Sequence, residues 1–248
     1  MIPKKINKNI IYQVITPLVK NSLYDDRKFC LKTRVPSVKK YASAVGAKYK
    51  VIGRKVKTEN KGQNEQFFAF KFKTKLLKKF SQSEYDNFLF LDEDVEVVNF
   101  IENMFNLGEQ IYLKPWPGRQ KERLRKRNAK IYNYLGEFMY NYGVCYIKKD
   151  CAMKLSKIDV NKILKFGFTF PCGYHISATN FPNGKFGGVD EIVLAIQLYI
   201  TDTKVTQLVG NDLERWHWGG RQVNNPKTKY NFIHFQGKNK STNHKRWF

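Results

Sequence analysis

An apolar run, Phe88-Leu89-Phe90-Leu91, stops abruptly at three adjacent carboxylates, Asp92-Glu93-Asp94, and resumes as Val95-Glu96-Val97-Val98. Consecutive apolar residues without helical spacing, preceded by the turn-forming Glu84-Tyr85-Asp86-Asn87, fit a strand covered on both faces, as in a parallel sheet. In open α/β sheets ligands sit outside the carboxyl ends of strands, so Asp92 and Asp94 stand where a polar ligand is expected. Carboxylates one residue apart can together hold a hard divalent cation whose remaining positions are open to phosphate oxygens. The same pattern also describes a strand that runs into an acidic surface loop, and Asp-x-Asp alone does not separate the two.

The flanking segments predict an α/β fold. Asn9 to Thr16 reads as a first buried strand stopped by Pro17, with Thr16 a candidate nucleotide contact whose simpler role is turn chemistry. Residues 37–47 place Val38, Tyr41, Ala42 and Val45 on one helical face, with Gly46 as the stop, and Lys48 to Ile52 supplies the next strand. That β-α-β order favours parallel pairing. Gln63 to Phe80 predicts a second helix with Phe67, Phe70, Leu77 and Phe80 on or near one face. Its lysines 71, 73, 75, 78 and 79 read mostly as a solvated face, one of which can point along the sheet edge toward a phosphate.

Further along, Ile111 to Leu113 reads as a short strand, Pro115-Trp116-Pro117-Gly118 as a rigid turn, and the basic segment 119–130 as a helix. The aromatics Tyr132, Tyr134, Phe138, Tyr140 and Tyr142 behind it suit either a core or a stacking surface. Asn141 to Ile147 is a strand in which Gly143 would let a ligand approach the backbone and Asn141 offers hydrogen bonds to hydroxyls. Residues 165–188 are rich in Gly, Pro and aromatics and predict a long substrate-binding loop or lid, with His175 at the surface. Asp190 and Glu191 open a helix, where acids complement the helix dipole and also reach the mouth of a site. Tyr230 to Phe235 is a strand carrying His234, and Gly237, Lys238 and Lys240 behind it suit a turn around a diphosphate.

Charge narrows the partners. Lys and Arg total 45 against 21 Asp and Glu, a net charge of +24, which attracts nucleic acid, anionic membrane surfaces or phosphorylated glycans. The lysine, asparagine and isoleucine bias also fits an AT-rich coding sequence, but the clustering of Arg119, Lys121, Arg123, Arg125, Lys126, Arg127 and Lys130 in one segment exceeds such a bias. Cys30, Cys145, Cys151 and Cys172 form no C-x-x-C pair, so neither a zinc cluster nor a disulfide framework is predicted. No run resembles a signal peptide or membrane span. The expectation is a soluble, cytoplasmic protein, in the host cytoplasm if viral, with peripheral membrane contact still open.

Taken in order, these blocks resemble the GT-A fold glycosyltransferases, most closely the glycogenin-like and lipopolysaccharide galactosyltransferase-like retaining group. Tyr85 to Asp94 is similar to that group's Tyr-Asp-strand-Asp-x-Asp block, Asn141 to Val144 to its Asn-x-Gly-Val block, and His234-Phe235-Gln236-Gly237-Lys238-Asn239-Lys240 to its closing motif. Asp190-Glu191 stands where the group carries an acid followed by an amide or other polar residue. The resemblance implies a single domain over 1–248, Rossmann-like with a mixed, mostly parallel sheet. Residues 1–115 would form the nucleotide-binding half, and 116–248 the acceptor-binding half.

It also implies a site. Asp92, Asp94 and His234 would ligate Mn²⁺ or Mg²⁺, and the donor would be a nucleoside diphosphate sugar, UDP-linked. Lys240 and the Gly237 backbone would meet the diphosphate, and Asn141 and Asp190 the sugar. Lys73 or Lys75 would add a cation near the sugar phosphate, with Lys75 taken as the candidate. Asp190 and Glu191 are the catalytic candidates. Glu191 in place of the amide, Ser241-Thr242 in place of Pro-Trp after the closing lysine, the insertion before Asp190 and the basic segment depart from the pattern. The last two point to the acceptor, for which a polyanion such as hydroxymethylated viral or phage DNA is expected, with a lipopolysaccharide or other glycan as the alternative. A nucleic-acid-binding protein that keeps the fold without activity is the reading of a different class.

Overall fold

The structure, a computed structural model, describes residues 8–15, 24–52, 65–127, 129–159, 162–163, 166–171, 173, 175–176, 189–220 and 230–235. Thr16, Gly237 and Lys240, and most of the segment 165–188, lie outside the described residues.

The first half alternates as predicted: β1 (Asn9–Val14), α1 (Tyr24–Ala44), β2 (Lys48–Ile52), α2 (Glu65–Ser81), β3 (Asn87–Asp92). After β3 come β4 (Val95–Val97), β5 (Ile111–Pro115), α3 (Gly118–Arg127), α4 (Ala129–Leu135), β6 (Tyr140–Lys148) and α5 (Lys149–Ser156). The remaining elements are β7 (Phe168–Thr169), β8 (His175–Ile176), α6 (Val189–Ile200), β9 (Thr206–Gln207), β10 (Trp218–Gly220) and β11 (Phe232–Phe235).

The main sheet has six strands in the order β2-β1-β3-β6-β5-β9. β1 pairs in parallel with both β2 and β3, and β5 with β9, whereas β6 runs antiparallel to β3 and β5. One reversed strand in an otherwise parallel sheet matches the expected mixed architecture. β3 lies inside the sheet and is covered on both sides. Phe88 and Phe90 pack with Leu76, Leu77 and Phe80 of α2, and Leu89 and Leu91 pack with Val38 and Tyr41 of α1. Burial of each such side chain contributes roughly 1.5–3 kcal/mol relative to exposure, which is why an unbroken apolar run suits a strand covered on both faces.

α1 begins at Tyr24, well before the expected 37, and contains Pro36. The polar start and the proline hid the first turns from the apolar pattern. Tyr140 and Tyr142 are buried, and Tyr134 stacks on Phe170 with centroids 4.9 Å apart, so these aromatics serve as core.

A second sheet, β10-β11-β4, positions the site. β4 follows the acidic turn directly and pairs antiparallel with β11, with His234 opposite Val95. The chain's last described strand is thereby laid against Asp94. Among the described residues no helix is long and apolar enough to cross a membrane.

Candidate active site

Asp92 ends β3 and Asp94 closes the turn into β4, so alternation and turn together bring both carboxylates to one end of the sheet. His234 reaches them through the β4–β11 ladder. Its Nε2 is 3.1 Å from Asp94 Oδ1 and 3.9 Å from Asp92 Oδ2. One donor atom from each of the three residues lies within 4.8 Å of the other two. Asp94 and His234 are buried, while Asp92 keeps a quarter of its side chain exposed and forms the open edge.

Behind Asp92 stands Lys73, only 3% exposed. Its Nζ is 3.1 Å from Asp92 Oδ1 and 2.5 Å from Asp190 Oδ2, and it donates to the Tyr142 carbonyl at 3.1 Å. The rings of Phe90 and Tyr142 flank it at 4.9 and 4.8 Å. Burial pulls its pKa down, yet the Asp190 and Asp92 carboxylates outweigh that and hold it above the ordinary lysine range, so it is an ammonium. Burial, joined by Asp94 and Asp190, pushes the Asp92 carboxyl upward against the pull of Lys73 and His234.

Lys75, the expected cation, is exposed on the far side of α2. The reason is helical phase. Lys73 shares its face with Leu76, Leu77 and Phe80, which bury against the sheet, whereas Lys75 shares its face with the exposed Lys78 and Lys79. That i, i+3, i+4, i+7 pattern is visible in the sequence and identifies Lys73 as the inward lysine.

Asp190 opens α6 and joins the cluster through Lys73. The Oε2 of Glu191, the next residue, accepts from Trp116 Nε1 at 3.1 Å. Adjacent helical residues point about 100° apart, and the two carboxylates hold different partners, Lys73 and Trp116. The Trp116 bond ties the Pro115–Gly118 turn to the start of α6.

Asn141 turns its Oδ1 inward to accept the Gly143 N–H at 2.9 Å and remains partly exposed. Gly143 leaves no room for a side chain. A Cβ there would collide with His234 Cε1 and lie 2.5 Å from Nδ1 and 2.8 Å from Nε2, so the imidazole packs directly on the backbone at this glycine. At the other side of β3, Gln13 donates to the Asp92 carbonyl at 3.3 Å and accepts from Tyr49 Oη at 2.7 Å, which fixes the strand end.

His217 was not anticipated. It is fully buried, with Nε2 3.2 Å from His234 Nδ1. Burial, and then the neighbouring His234, hold its pKa well below the usual range, so the ring is neutral. Only the pairing of β10 with β11 brings it there, and no local motif signals that.

The basic segment forms α3 and continues into α4. Leu124 anchors α3 against Trp116, Ile131, Leu135 and the α6 residues Ile192, Val193 and Ile196. Arg119, Arg123, Arg125, Lys126 and Lys130 are exposed. Glu122 bonds Arg125 at 2.7 Å and lies 3.7 Å from Lys126.

No protein-family model matches this chain, and no curated protein matches it either. Solved structures do resemble it. A glycosyltransferase involved in the glycosylation of the major capsid of PBCV-1 superposes with a TM-score of 0.56 and 15% identity, over 96% of this chain and 98% of that one. The galactosyltransferase LgtC, in complex with donor and acceptor sugar analogues, gives 0.45 and 14%, over 92% and 88%. The first likeness, spanning nearly both chains, shows that this chain has the GT-A fold of glycosyltransferases.

Proposed function

We propose that this chain is a metal-dependent retaining glycosyltransferase that moves a sugar from a nucleoside diphosphate sugar, UDP-linked, to a hydroxyl acceptor. The observation that carries the reading is the meeting of Asp92 and Asp94 with His234 within 4.8 Å, at the open end of β3. Two carboxylates and one imidazole suit Mn²⁺, with Mg²⁺ as the harder alternative. When bound, the cation supplies positive charge against the departing diphosphate.

The chain's own groups do the rest. Transfer breaks the bond between the sugar carbon and the diphosphate oxygen, whose electron pair leaves with the phosphate, and forms a bond to the acceptor oxygen, which gives up its proton to that departing phosphate oxygen. Positive charge on the sugar carbon favours a nearby carboxylate, and Asp190 is the acid that Lys73 fixes beside Asp92. Asn141 on its partly exposed edge is read as a sugar contact. Thr16, Gly237 and Lys240 keep their assignments as contacts to nucleotide and diphosphate. Residues 1–115 are read as the donor half and residues 116–248 as the acceptor half of one domain, acting in the cytoplasm, a host's if the protein is viral.

For the acceptor we favour a polyanion, with hydroxymethylated viral or phage DNA as its concrete form. The net charge of +24 and the exposed cations of α3 support it. A glycan acceptor is the second reading, favoured by the capsid-glycosylating protein of like fold.

A screen of sugar-nucleotide hydrolysis with Mn²⁺ tests the enzyme reading. Turnover of one UDP-sugar that stops on chelation is expected. Inertness toward every donor, combined with duplex DNA binding, would instead support a nucleic-acid-binding protein on a transferase fold. Undetectable DNA affinity at low salt, or affinity indifferent to salt, would remove DNA as the acceptor.

A further inference from the structure

His217 takes no part in the donor chemistry above, yet it is the side chain set against the imidazole that would ligate the cation. It precedes β10, whose Gly219 stands opposite His234 in the parallel β10–β11 ladder. That register brings the two imidazoles edge to edge, with centroids 5.4 Å apart and planes tilted by 32°. The His217 carbonyl accepts from Lys114 Nζ at 2.7 Å, which pins the backbone to β5. Its Nδ1, buried, has no hydrogen-bond partner among the described residues. A buried polar nitrogen left without a partner costs about 1–3 kcal/mol, and an apolar side chain in that space would avoid the cost.

The other face of His234 is equally constrained. Gly143 leaves no room for any side chain against the ring. His234 therefore sits between the β6 backbone and His217, with Nε2 toward Asp94 and Nδ1 toward His217 Nε2. An imidazole that ligates a cation through one nitrogen must keep that nitrogen unprotonated, and the hydrogen bond made by the other nitrogen fixes which one it is.

We propose that His217 is a positioning residue for the cation site: its Nε2 accepts the Nδ1–H of His234 and so presents His234 Nε2 as a bare lone pair beside Asp92 and Asp94. The inference rests on the metal-dependent function proposed above. The proton of His217 then resides on Nδ1, which accounts for the unpartnered atom as the consequence of an acceptor role at Nε2. A neutral imidazole does here what a carboxylate or carbonyl does behind most ligating histidines.

The test is Mn²⁺ binding, followed by electron paramagnetic resonance, in the wild type and in His217→Leu, His217→Asn and His217→Gln, each checked for folding by thermal unfolding. Glutamine carries its oxygen to where Nε2 stood, whereas asparagine is one bond too short and leucine has no acceptor. The wild type is expected to bind Mn²⁺ with directly coordinated nitrogen in the spin-echo modulation. The Leu and Asn variants are expected to bind it about 10–100-fold more weakly with that nitrogen signal diminished, and Gln to restore both. Folded Leu or Asn protein that binds as the wild type does would overturn the proposal, as would a Gln variant no better than Leu. Mn²⁺ bound to the wild type without nitrogen coordination would also overturn it while leaving the carboxylate site standing. No Mn²⁺ uptake by the wild type would overturn the metal reading itself. If Leu does not fold, Asn against Gln decides.

Discussion

The wall built from β3, β4, β11, α2 and α6 and the flank built from α3 handle charge in opposite ways. In the wall, Lys73 pairs with Asp92 and Asp190, and His234 lies against Asp92 and Asp94, at distances of 2.5–3.9 Å and mostly out of solvent. On the flank, arginines and lysines stand in water around the single acid Glu122. Buried charges are interdependent, so removal of one leaves its partners uncompensated. Exposed charges act nearly independently, and salt screens them. The wall thus couples its charges to one another, and the flank offers its charges to anions in solution.

The largest expected difference comes from Asp94→Ala. Turnover should fall on the order of 10³-fold or more, since several kcal/mol of charge stabilisation disappear. Steady-state kinetics with parallel thermal melts checks this, and retained activity would break the contrast on its strongest side.

Lys73→Met comes next. It leaves Asp92 and Asp190 buried without their cation and should cost about 3–5 kcal/mol in denaturant unfolding. Lys75→Met, two residues away on the solvent face, should stay within about 0.5 kcal/mol of the wild type. Equal losses would mean that helical phase does not separate the two lysines.

The third test uses pH. The folded-state pKa of Asp92 is raised above its unfolded value, so its contribution favours the metal-free fold at low pH and is lost as pH rises through that raised pKa. Protons should compete with Mn²⁺ in the same window, weakening uptake as pH falls through the raised pKa. Lys73, raised in its turn, stays charged throughout that range and does not contribute to the change.

The smallest effects belong to the flank. Arg119→Gln with Arg123→Gln should leave stability within about 0.5 kcal/mol. Affinity for an anionic acceptor should fall modestly, and the salt slope should shrink by about one for every phosphate that these arginines neutralise. An unchanged salt slope would separate α3 from the acceptor.

Much of this division was legible in the sequence. The Phe88–Asp94 stretch announced both its double-sided burial and its acidic end, because a short apolar run bounded by turn signals suits an interior strand. Lys73 was legible through its spacing to Leu76, Leu77 and Phe80, although Lys75 was the expected cation. Gly143 signalled a close approach, but local sequence does not say that the approaching group is the His234 ring. His217 and the Glu191–Trp116 bond depend on strand register and on turn-to-helix packing between distant segments, and no short pattern encodes either. The early start of α1 was masked by Pro36 and a polar opening turn.

The central claim is that Asp92, Asp94 and His234 converge on one cation that receives a nucleoside diphosphate. Calorimetric titration of UDP into the wild-type protein, with Mn²⁺ and then with excess chelator, tests it most directly. The account predicts saturable UDP binding that disappears on chelation. UDP binding of the same strength without metal, or none in either condition, would contradict it.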